Sequence, residues 1–344
     1  MRLSRLIGVV LLCACATAVT TPASAQIVES VGSRALGMGG AFVAVASDAS
    51  ATWWNPGGLG AGPFLDMALA KSVTEGGETP PVWRNRTSSF AVATPPVGFG
   101  YYRFRLTDIR PFDPTENGSA DREGRRVGLP IRSLSASQLG VTLVQTLMPG
   151  VHAGTTLKYL RGTVRHSRAD SLLASGELMD IGEELDEGEA EGRFDFDIGV
   201  LAVGGPLRLG AVVRNAREPE FGADHSAAAE PGVRLPRQIR VGAAFDPERE
   251  TGIPLTIALD ADVRTYETAT GERRVVAAGA EQWFRSRRFA VRAGGRFNTA
   301  GARERSATAG ATVALRSGLF VDGHVVRGGS AGEEGWGLAA RVSF

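Results

Sequence analysis

The side chains that most often carry catalysis are few in this sequence. Histidine occurs only as His152, His166, His225 and His324, and no two of them have the spacing of a metal-binding pair. A surface hydrolase would need a histidine held beside a nucleophile or an acid. His225 follows Asp224 in a polar stretch predicted to be a loop. We therefore predict that the chain is not an enzyme and binds no cofactor or metal.

Carboxylates are concentrated between residues 170 and 191, where no basic residue interrupts them. Because hard cations prefer carboxylate oxygens, a divalent cation site is one interpretation of this stretch. The spacing does not match an EF-hand loop, and a solvated external loop is the favoured interpretation.

Other charged residues alternate with apolar ones. In the run 194–200, Phe194, Phe196 and Ile198 share one face, whereas Asp195 and Asp197 share the other. Charged residues expected to line a lumen in this way are Asp195, Asp197, Asp260, Asp262, Arg264, Arg288, Arg292 and Arg296. They either select solutes or, in the favoured interpretation, pair across neighbouring strands.

The amino terminus indicates export. A positive start, an apolar run over 6–18 and the small residues Ala23–Ala25 predict a secretory signal peptide over residues 1–25, which is removed. Lipoprotein processing at Cys15 is the alternative. Cys13 and Cys15 both fall inside the signal, so the mature chain has no thiol. The net charge of +1 lacks the large positive excess that is typical of proteins that bind nucleic acid.

The rest of the chain predicts an all-β fold. Past the signal, no run of about 18 apolar residues could form a membrane helix. Instead about fourteen segments alternate with a period of two, and many reach the roughly nine to eleven residues that a tilted membrane strand needs. They lie near 63–72, 85–94, 97–107, 134–147, 150–165, 192–203, 206–216, 237–246, 253–265, 273–285, 287–299, 304–315, 318–328 and 335–344.

Short and long connections alternate between these segments. Those at 95–96 and 149–150 are tight, whereas 108–133 and 166–191 are long and polar. This asymmetry is typical of outer-membrane barrels, which have short periplasmic turns and long external loops. We therefore predict a transmembrane antiparallel up-and-down β-barrel over residues 62–344, located in the cell outer membrane after Sec-dependent export and surrounded by outer-membrane lipid.

Closure in lipid requires the last strand to pair with the first, since a free sheet edge cannot stay in hydrocarbon. The final segment alternates apolar residues and ends on an aromatic residue. This resembles the signal that barrel-assembly machinery recognises in its substrates, and its residues are Trp336, Leu338, Val342 and Phe344.

Residues 26–61 do not have the pattern of a barrel strand. Their small side chains allow close backbone approach, and Asn55-Pro56 followed by glycines indicates a turn. We predict that this segment lies in the lumen as a hatch. The residues expected to form the hatch or a ligand passage are Arg34, Gly37, Gly39, Gly40, Phe42, Asp48, Trp53, Trp54, Asn55 and Pro56. A static plug is the alternative, in which Trp53 and Trp54 only anchor apolar contacts.

The run from Arg34 to Leu59 resembles the amino-terminal signature of the FadL and PorV superfamily of outer-membrane proteins, and the modest chain length is similar to the PorV/PorQ branch. The resemblance implies a fourteen-stranded barrel with a lumen hatch that passes hydrophobic compounds such as long-chain fatty acids. The alternative is a PorV-like partner of type IX secretion that binds a secreted cargo protein and transports nothing. Gly57, where many members carry alanine, is a departure from the pattern.

Overall fold

The computed structural model describes residues 31–77, 82–109, 129–169, 175–185, 189–222, 232–268, 271–329 and 333–344. The predicted signal peptide with Cys15, residues 26–30 and His225 lie outside the described residues. No helix in the described ranges is both long and apolar enough to cross a membrane.

The described residues are mostly β-structure. The strands are β1 (Asp66–Gly76), β2 (Val82–Thr94), β3 (Val97–Ile109), β4 (Leu129–Met148), β5 (Val151–Ala169), β6 (Glu191–Gly204), β7 (Leu207–Arg214), β8 (Glu220–Phe221), β9 (Val233–Arg234), β10 (Gln238–Phe245), β11 (Leu255–Asp262), β12 (Tyr266–Thr268), β13 (Gly271–Arg273), β14 (Val275–Phe284), β15 (Phe289–Asn298), β16 (Arg305–Arg316), β17 (Leu319–Gly328) and β18 (Glu334–Ser343). The helices are Ser33–Gly37, Ala51–Trp54, Ser175–Glu184 and Glu248–Thr251, with a 3-10 helix at Pro56–Ala61.

Fourteen of these strands form one closed antiparallel barrel, in which β1 pairs with both β2 and β18. The β8–β9 and β12–β13 hairpins are separate two-stranded sheets. The predicted fold class is therefore confirmed, and each of the fourteen predicted segments overlaps one barrel strand. The first and last strands run in register from Asp66 opposite Ser343 to Glu75 opposite Glu334, which leaves the barrel without a free edge.

The two ends of the barrel differ. The tight connections after β2, β4, β6 and β16 share one end, here called the turn end, with the start of β1 and the end of β18. The opposite end is here called the loop end, which faces outside the cell in barrels of this kind. Strands β4 and β5 have 20 and 19 residues, whereas β7, β10 and β11 have 8 each. One side of the wall is therefore much taller than the other.

The predicted assignment of faces holds along most of the wall. Phe194 is 70% exposed on the outer surface, whereas its neighbour Asp195 is 4% exposed inside. The inward charges pair across strands, and Lys158 Nζ lies 3.0 Å from Asp195 Oδ2. The prediction that they line the lumen is wrong for two of the residues. Arg264 lies beyond the end of β11 and Arg288 lies in the turn before β15, so both side chains are exposed.

The acidic stretch is also more structured than a solvated loop. Helix Ser175–Glu184 packs Leu178 and Met179 against Val82, Ile109 and Ile131, which point outward near the loop end. The helix therefore lies on the outer surface of the tall side. Its carboxylates contact arginines of the wall: Asp180 accepts from Arg84 at 2.8 Å, and Glu183 pairs with Arg86 at 2.9 Å.

Residues 31–61, here called the lumen segment, lie inside the barrel. The segment has two short helices and the 3-10 helix, and most of its side chains are fully buried. Phe42 is 0% exposed, and Trp54 and Leu59 are each 1% exposed. The segment and the inner wall together form the main apolar core of the molecule.

Candidate functional site

The turn at the end of the lumen segment is fixed by Asn55. Its Oδ1 accepts a hydrogen bond from the Gly57 N–H at 3.1 Å, which caps the 3-10 helix, and Pro56 fills the first helical position, where no backbone donor is needed. The same side chain donates through Nδ2 to the carbonyls of Val43, at 2.8 Å, and Val200, at 3.0 Å. Asn55 thereby ties two parts of the segment to strand β6.

Pairs of inward glycines on neighbouring strands receive the backbone of the lumen segment. The pairs are Gly154–Gly199, Gly210–Gly242 and Gly279–Gly294. A Cβ on Gly199 would lie 2.1 Å from Asn55 Oδ1, and one on Gly294 would lie 2.3 Å from the carbonyl carbon of Met38. Any side chain at these two positions would force the segment away from the wall. Within the segment, Gly39 has φ +71° and abuts Gly295.

Carboxylates of the wall bind backbone donors of the segment. Asp260 Oδ2 accepts from the N–H groups of Phe42 and Val43, both at 2.8 Å, and Asp66 Oδ1 accepts from Ala49 at 2.8 Å. These bonds satisfy backbone groups that have no strand partner of their own. They also fix the depth of the segment in the barrel.

A buried cluster of charges holds the amino-terminal part of the segment. Arg34 makes a two-point contact with Glu281, at 2.9 and 2.7 Å, and contacts Asp48 at 3.2 Å. Glu281 also accepts from Arg292 at 2.5 Å. The full set, here called the anchor cluster, is Arg34, Asp48, Asp66, Glu281, Arg292, Asp322 and Arg341. Apart from Arg34 and Asp48, these residues come from β1, β14, β15, β17 and β18.

The charge state of Asp48 follows from this cluster. Burial alone would raise the pKa of the Asp48 carboxyl, but the charges of Arg34 and Arg341 and a hydrogen bond from Ser50 outweigh it and hold the pKa below its usual range. Asp48 is therefore an anion at neutral pH. An unpaired charge is costly in this buried environment. Removing either the segment or its charged partners on the wall would therefore destabilise the other.

The opposite part of the inner wall is apolar, which the sequence analysis did not predict. On β3, β4 and β5, inward side chains near the loop end are all 1% exposed or less; this apolar strip consists of Tyr102, Phe104, Leu106, Leu134 and Leu160. Phe221, Val233 and Leu235 from the β7–β10 connection pack against it. The inner wall of β3–β5 thus carries an apolar strip, which is flanked on the same strands by the inward charges Asp108, Arg132 and Lys158.

Trp53 joins the lumen segment to the apolar strip. Its ring centroid lies 5.0 Å from that of Tyr102 and 6.5 Å from that of Phe104, while the Arg214 guanidinium lies 5.0 Å above it. A small cavity beside Trp53 is also lined by Phe104, Leu235, Lys158 and Arg214. This cavity is where apolar wall, cationic side chains and lumen segment meet.

The other predicted hatch residues are distributed over these contacts. Trp54 is fully buried, packs edge-on against Phe42 at 6.0 Å and donates through Nε1 to Val31 O at 3.0 Å, so it anchors the segment. Gly37 approaches Gly310 of β16, and Pro56 approaches Gly154 of β5. Gly40 has a positive φ of 82°, in the turn after the first helix.

The predicted assembly residues point outward on β18. Trp336, Leu338 and Phe344 are 48%, 57% and 67% exposed, and Val342 is half-buried. Phe344 exchanges two backbone hydrogen bonds with Leu65, at 2.8 and 3.1 Å, where the barrel closes. Their role in recognition by assembly machinery stays a prediction.

Sequence reasoning missed the glycine pairs and the apolar strip. The pairs carry a weak signal, since each glycine occupies an inward position of a period-two pattern, but which glycines face each other depends on strand register. The strip carries a clearer signal. Along β3 the outward apolar residues are Val97, Phe99 and Tyr101, and between Tyr102 and Leu106 the apolar residues take the inward positions.

Structural comparison places the fold among known outer-membrane channels. The hydrocarbon channel CymD aligns with a TM-score of 0.63 at 13% identity, covering 91% of this chain and 97% of its own. A Pseudomonas aeruginosa FadL homologue gives 0.63 at 11%, covering 93% and 100%. The Pseudomonas putida toluene transporter TodX gives 0.55 at 12%, covering 93% and 99%. At these identities the likeness concerns the fold.

The closed barrel with its occupied lumen thus has the fold of FadL-type outer-membrane barrels. The chain belongs to the family described as "F plasmid transfer operon, TraF, protein", which matches residues 71–262. A search of curated proteins found no match. CymD is described as a channel and TodX as a transporter, and the prediction that this chain is not an enzyme stays a prediction.

Proposed function

We propose that this protein passes small hydrophobic compounds across the outer membrane, and that the lumen segment closes the path until it moves. The observation that carries the proposal is the apolar strip, which lines the lumen from near the loop end down to Trp53. A water-filled pore would be lined with polar side chains on all sides. An apolar strip inside a barrel instead offers a surface along which a hydrophobic compound can leave water.

The FadL-like fold supports the same proposal, because the aligned proteins include two described as monoaromatic hydrocarbon channels. The compound would first meet the lumen segment at the cavity beside Trp53. The lumen segment contacts β3 there through Thr52 and Trp53, so we infer that passage requires displacement of the segment from β3. Neither the family match nor the structural neighbours support the predicted PorV/PorQ kinship or the role as a secretion partner.

The proposal is tested by uptake into whole cells of a Gram-negative host that lacks its own FadL-type channel. Initial uptake of radiolabelled toluene and of radiolabelled oleate is compared with and without the protein. We expect faster uptake of at least one of the two, and a several-fold lower rate with the double variant Phe104→Asn/Leu134→Asn. The matched control is Val275→Asn, a buried inward residue on the opposite wall. Uptake equal to that of the empty host would overturn the proposal.

Movement of the segment is tested by a reversible lock. A Cβ placed on Gly98 of β3 would lie 2.8 Å from Thr52 Cγ2, so Thr52→Cys/Gly98→Cys is positioned to form a disulfide. The natural cysteines, Cys13 and Cys15, fall in the predicted signal peptide and would not interfere. If the segment moves, oxidation lowers uptake and reduction restores it. If the segment is a static plug, uptake is the same in both states.

A further inference from the structure

Three side chains that line the cavity beside Trp53 carry hydrogen-bond donors without an acceptor. Among the described residues, the buried atoms Trp53 Nε1, Gln138 Nε2 and Gln238 Nε2 have no hydrogen-bond partner. Gln138 and Gln238 are 2% and 3% exposed. Buried N–H groups are nearly always paired in folded proteins, because a desolvated donor without a partner is costly. Three such donors at one cavity therefore indicate an acceptor that enters from outside the chain.

The orientation of the Gln238 amide follows from its neighbour on β7. Arg214 donates to Gln238 Oε1, and a guanidinium group has no acceptor, so the amide oxygen must be the atom that faces it. The NH2 group of Gln238 is therefore the end of the amide that is left without a partner. Gln138 lies on β4 and Gln238 on β10, so the two amides approach the cavity from different parts of the wall.

The lysine at the cavity has no donor to spare. Lys158 Nζ lies 3.0 Å from Asp195 Oδ2 and 2.6 Å from Asp197 Oδ1. It also donates to Asn215 Oδ1 at 2.9 Å, so its three N–H groups are all used. Asn215 in turn donates through Nδ2 to the carbonyl of Pro236 at 3.2 Å. A ligand in this cavity is therefore selected by the unpaired amides and the indole, and not by Lys158.

The charges at the cavity are balanced. Among the described residues that line it or contact Lys158, the cations are Lys158 and Arg214 and the carboxylates are Asp195 and Asp197. The Arg214 guanidinium also lies over the Trp53 ring, at 5.0 Å from its centroid. An anion would lose its hydration here without meeting an excess of positive charge. The surroundings therefore favour a neutral acceptor over a carboxylate.

The size of the cavity fits one oxygen-bearing end of a molecule. Its volume is about 20 Å³, which is room for a single group of the size of a water molecule. Phe104 and Leu235 also line it, so the surface next to this group is apolar. A carbonyl oxygen accepts two hydrogen bonds and brings no donor of its own. It therefore matches a cavity where the unpaired groups are N–H donors.

We propose that the cavity beside Trp53 recognises neutral hydrophobic compounds that carry a carbonyl oxygen. Gln138 and Gln238 donate to the oxygen and determine specificity, while the apolar body of the compound lies on the apolar strip. This recognition rests on the proposed function, because the body reaches the strip only where the lumen segment moves away from β3. A hydrocarbon of the same shape leaves the amides unpaired and binds more weakly.

Acetophenone and α-methylstyrene are the probes, since they differ only in that C=O in one replaces C=CH2 in the other. Equilibrium binding of each radiolabelled compound is measured on the purified, folded protein in detergent. In Gln138→Met/Gln238→Met, apolar side chains of similar length replace both amides. We expect the ratio of the two Kd values to shift about tenfold toward α-methylstyrene in this variant, as one or two net hydrogen bonds are lost. Because wild type and variant are compared in the same micelles, differences in partition cancel.

The matched control is Gln282→Met, the same change on β14, where the side chain donates to the carbonyl of Pro254 at 3.2 Å outside the cavity. Its Kd ratio should equal that of wild type. Folding of each variant is checked by its migration on a denaturing gel before and after boiling. A Kd ratio that is unchanged in the folded double variant would overturn the proposal, and it is the result expected if the amides only hold a structural water.

An equal shift in the control, or binding of neither compound to wild type, would also overturn the proposal. Uptake of toluene and oleate by cells tests the proposed function separately. Faster uptake together with an unchanged Kd ratio would leave transport standing and remove only the carbonyl specificity. A shifted Kd ratio without uptake would show a carbonyl-binding site in a protein that does not transport.

Discussion

The two sides of the barrel interior hold the lumen segment by different forces. On the side of β14 to β18 and β1, the anchor cluster binds the segment through desolvated ion pairs, such as Arg34 with Glu281 at 2.7 Å. On the side of β3 to β5, Trp53 packs on the apolar strip at 5.0 Å from Tyr102, and the accompanying hydrogen bonds of Thr52 to Tyr102 and Thr156 are between uncharged groups. Ion pairs with fixed geometry fail when displaced by an ångström or so, whereas apolar contacts tolerate sliding and exchange for another apolar partner.

This difference indicates where an opening would start. A hydrophobic compound can replace the strip as a partner of Trp53, but it offers nothing to the charges of the anchor cluster. We therefore expect the segment to pivot about the anchor cluster and to leave the apolar strip first.

The largest effect is expected from removing the central carboxylate of the anchor cluster. Glu281→Ala leaves Arg34 without its two-point partner and Arg292 without one of its acceptors, both in a buried site. Breaking a buried ion pair in this way costs about 3–5 kcal/mol. The loss is measured as a lower urea midpoint for conversion of the compact gel form into the boiled form.

The control for Glu281 is Glu334→Ala, which removes an exposed pair with Arg327. An exposed pair contributes about 1 kcal/mol or less, so this midpoint should hardly move. If both variants shift the midpoint equally, the anchor cluster does not hold the segment and the comparison between the two sides loses its basis.

A smaller effect is expected from filling a glycine pair. In Gly199→Ala the new methyl would lie 2.1 Å from Asn55 Oδ1, so the turn at Asn55 must shift. Overpacking of this kind costs about 1–3 kcal/mol. Leakage of a small hydrophilic dye into cells reports displacement of the turn from β6. Gly204→Ala on the same strand meets nothing within 4 Å and should leave both the midpoint and the leakage unchanged.

The barrel itself could be predicted from sequence because period-two alternation and the alternation of short and long connections are local properties. The run from Phe194 to Ile198 distinguishes the apolar outer face from the charged inner face of its strand, and this can be seen without knowing which strands lie beside it. The start of β4 at Leu129 instead of residue 134 was missed because the alternation changes along the strand. Ile131 points outward and Arg132 inward, Leu134 and Ala136 then point inward with serines at the outward positions, and from Leu139 the apolar residues point outward again.

The site could be predicted only in part. The lumen segment was recognisable from its small residues and from the resemblance of its motif. Its contacts were not, because Asp260 and Phe42, or Glu281 and Arg34, are separated by more than 200 residues and meet only through barrel closure. The outer helix Ser175–Glu184 was missed because its acidic residues are typical of a solvated loop until the arginines of β2 are placed beside them.

The smallest effect concerns pH and Asp48. Asp48 faces Arg34 and Ser50 within the segment, Arg341 on β18 and Asp66 on β1. Burial opposes ionisation, but the two arginines outweigh it and lower the pKa of Asp48, so the folded state favours the carboxylate. The stability that Asp48 contributes is present above the unfolded carboxyl pKa of about 3.9 and is lost as pH falls through the lower folded value.

We therefore expect the urea midpoint of wild type to fall more between pH 7 and pH 3 than that of Asp48→Asn, which cannot titrate at this position. The difference should be smaller than the effect of Glu281→Ala, because Asp48 touches Arg34 at a single point, at 3.2 Å, and Arg34 keeps Glu281. Glu334→Gln serves as the control for an exposed carboxylate. Parallel curves for wild type and Asp48→Asn would mean that Asp48 is not held as an anion by the anchor cluster, and that Glu281 alone fixes the pivot.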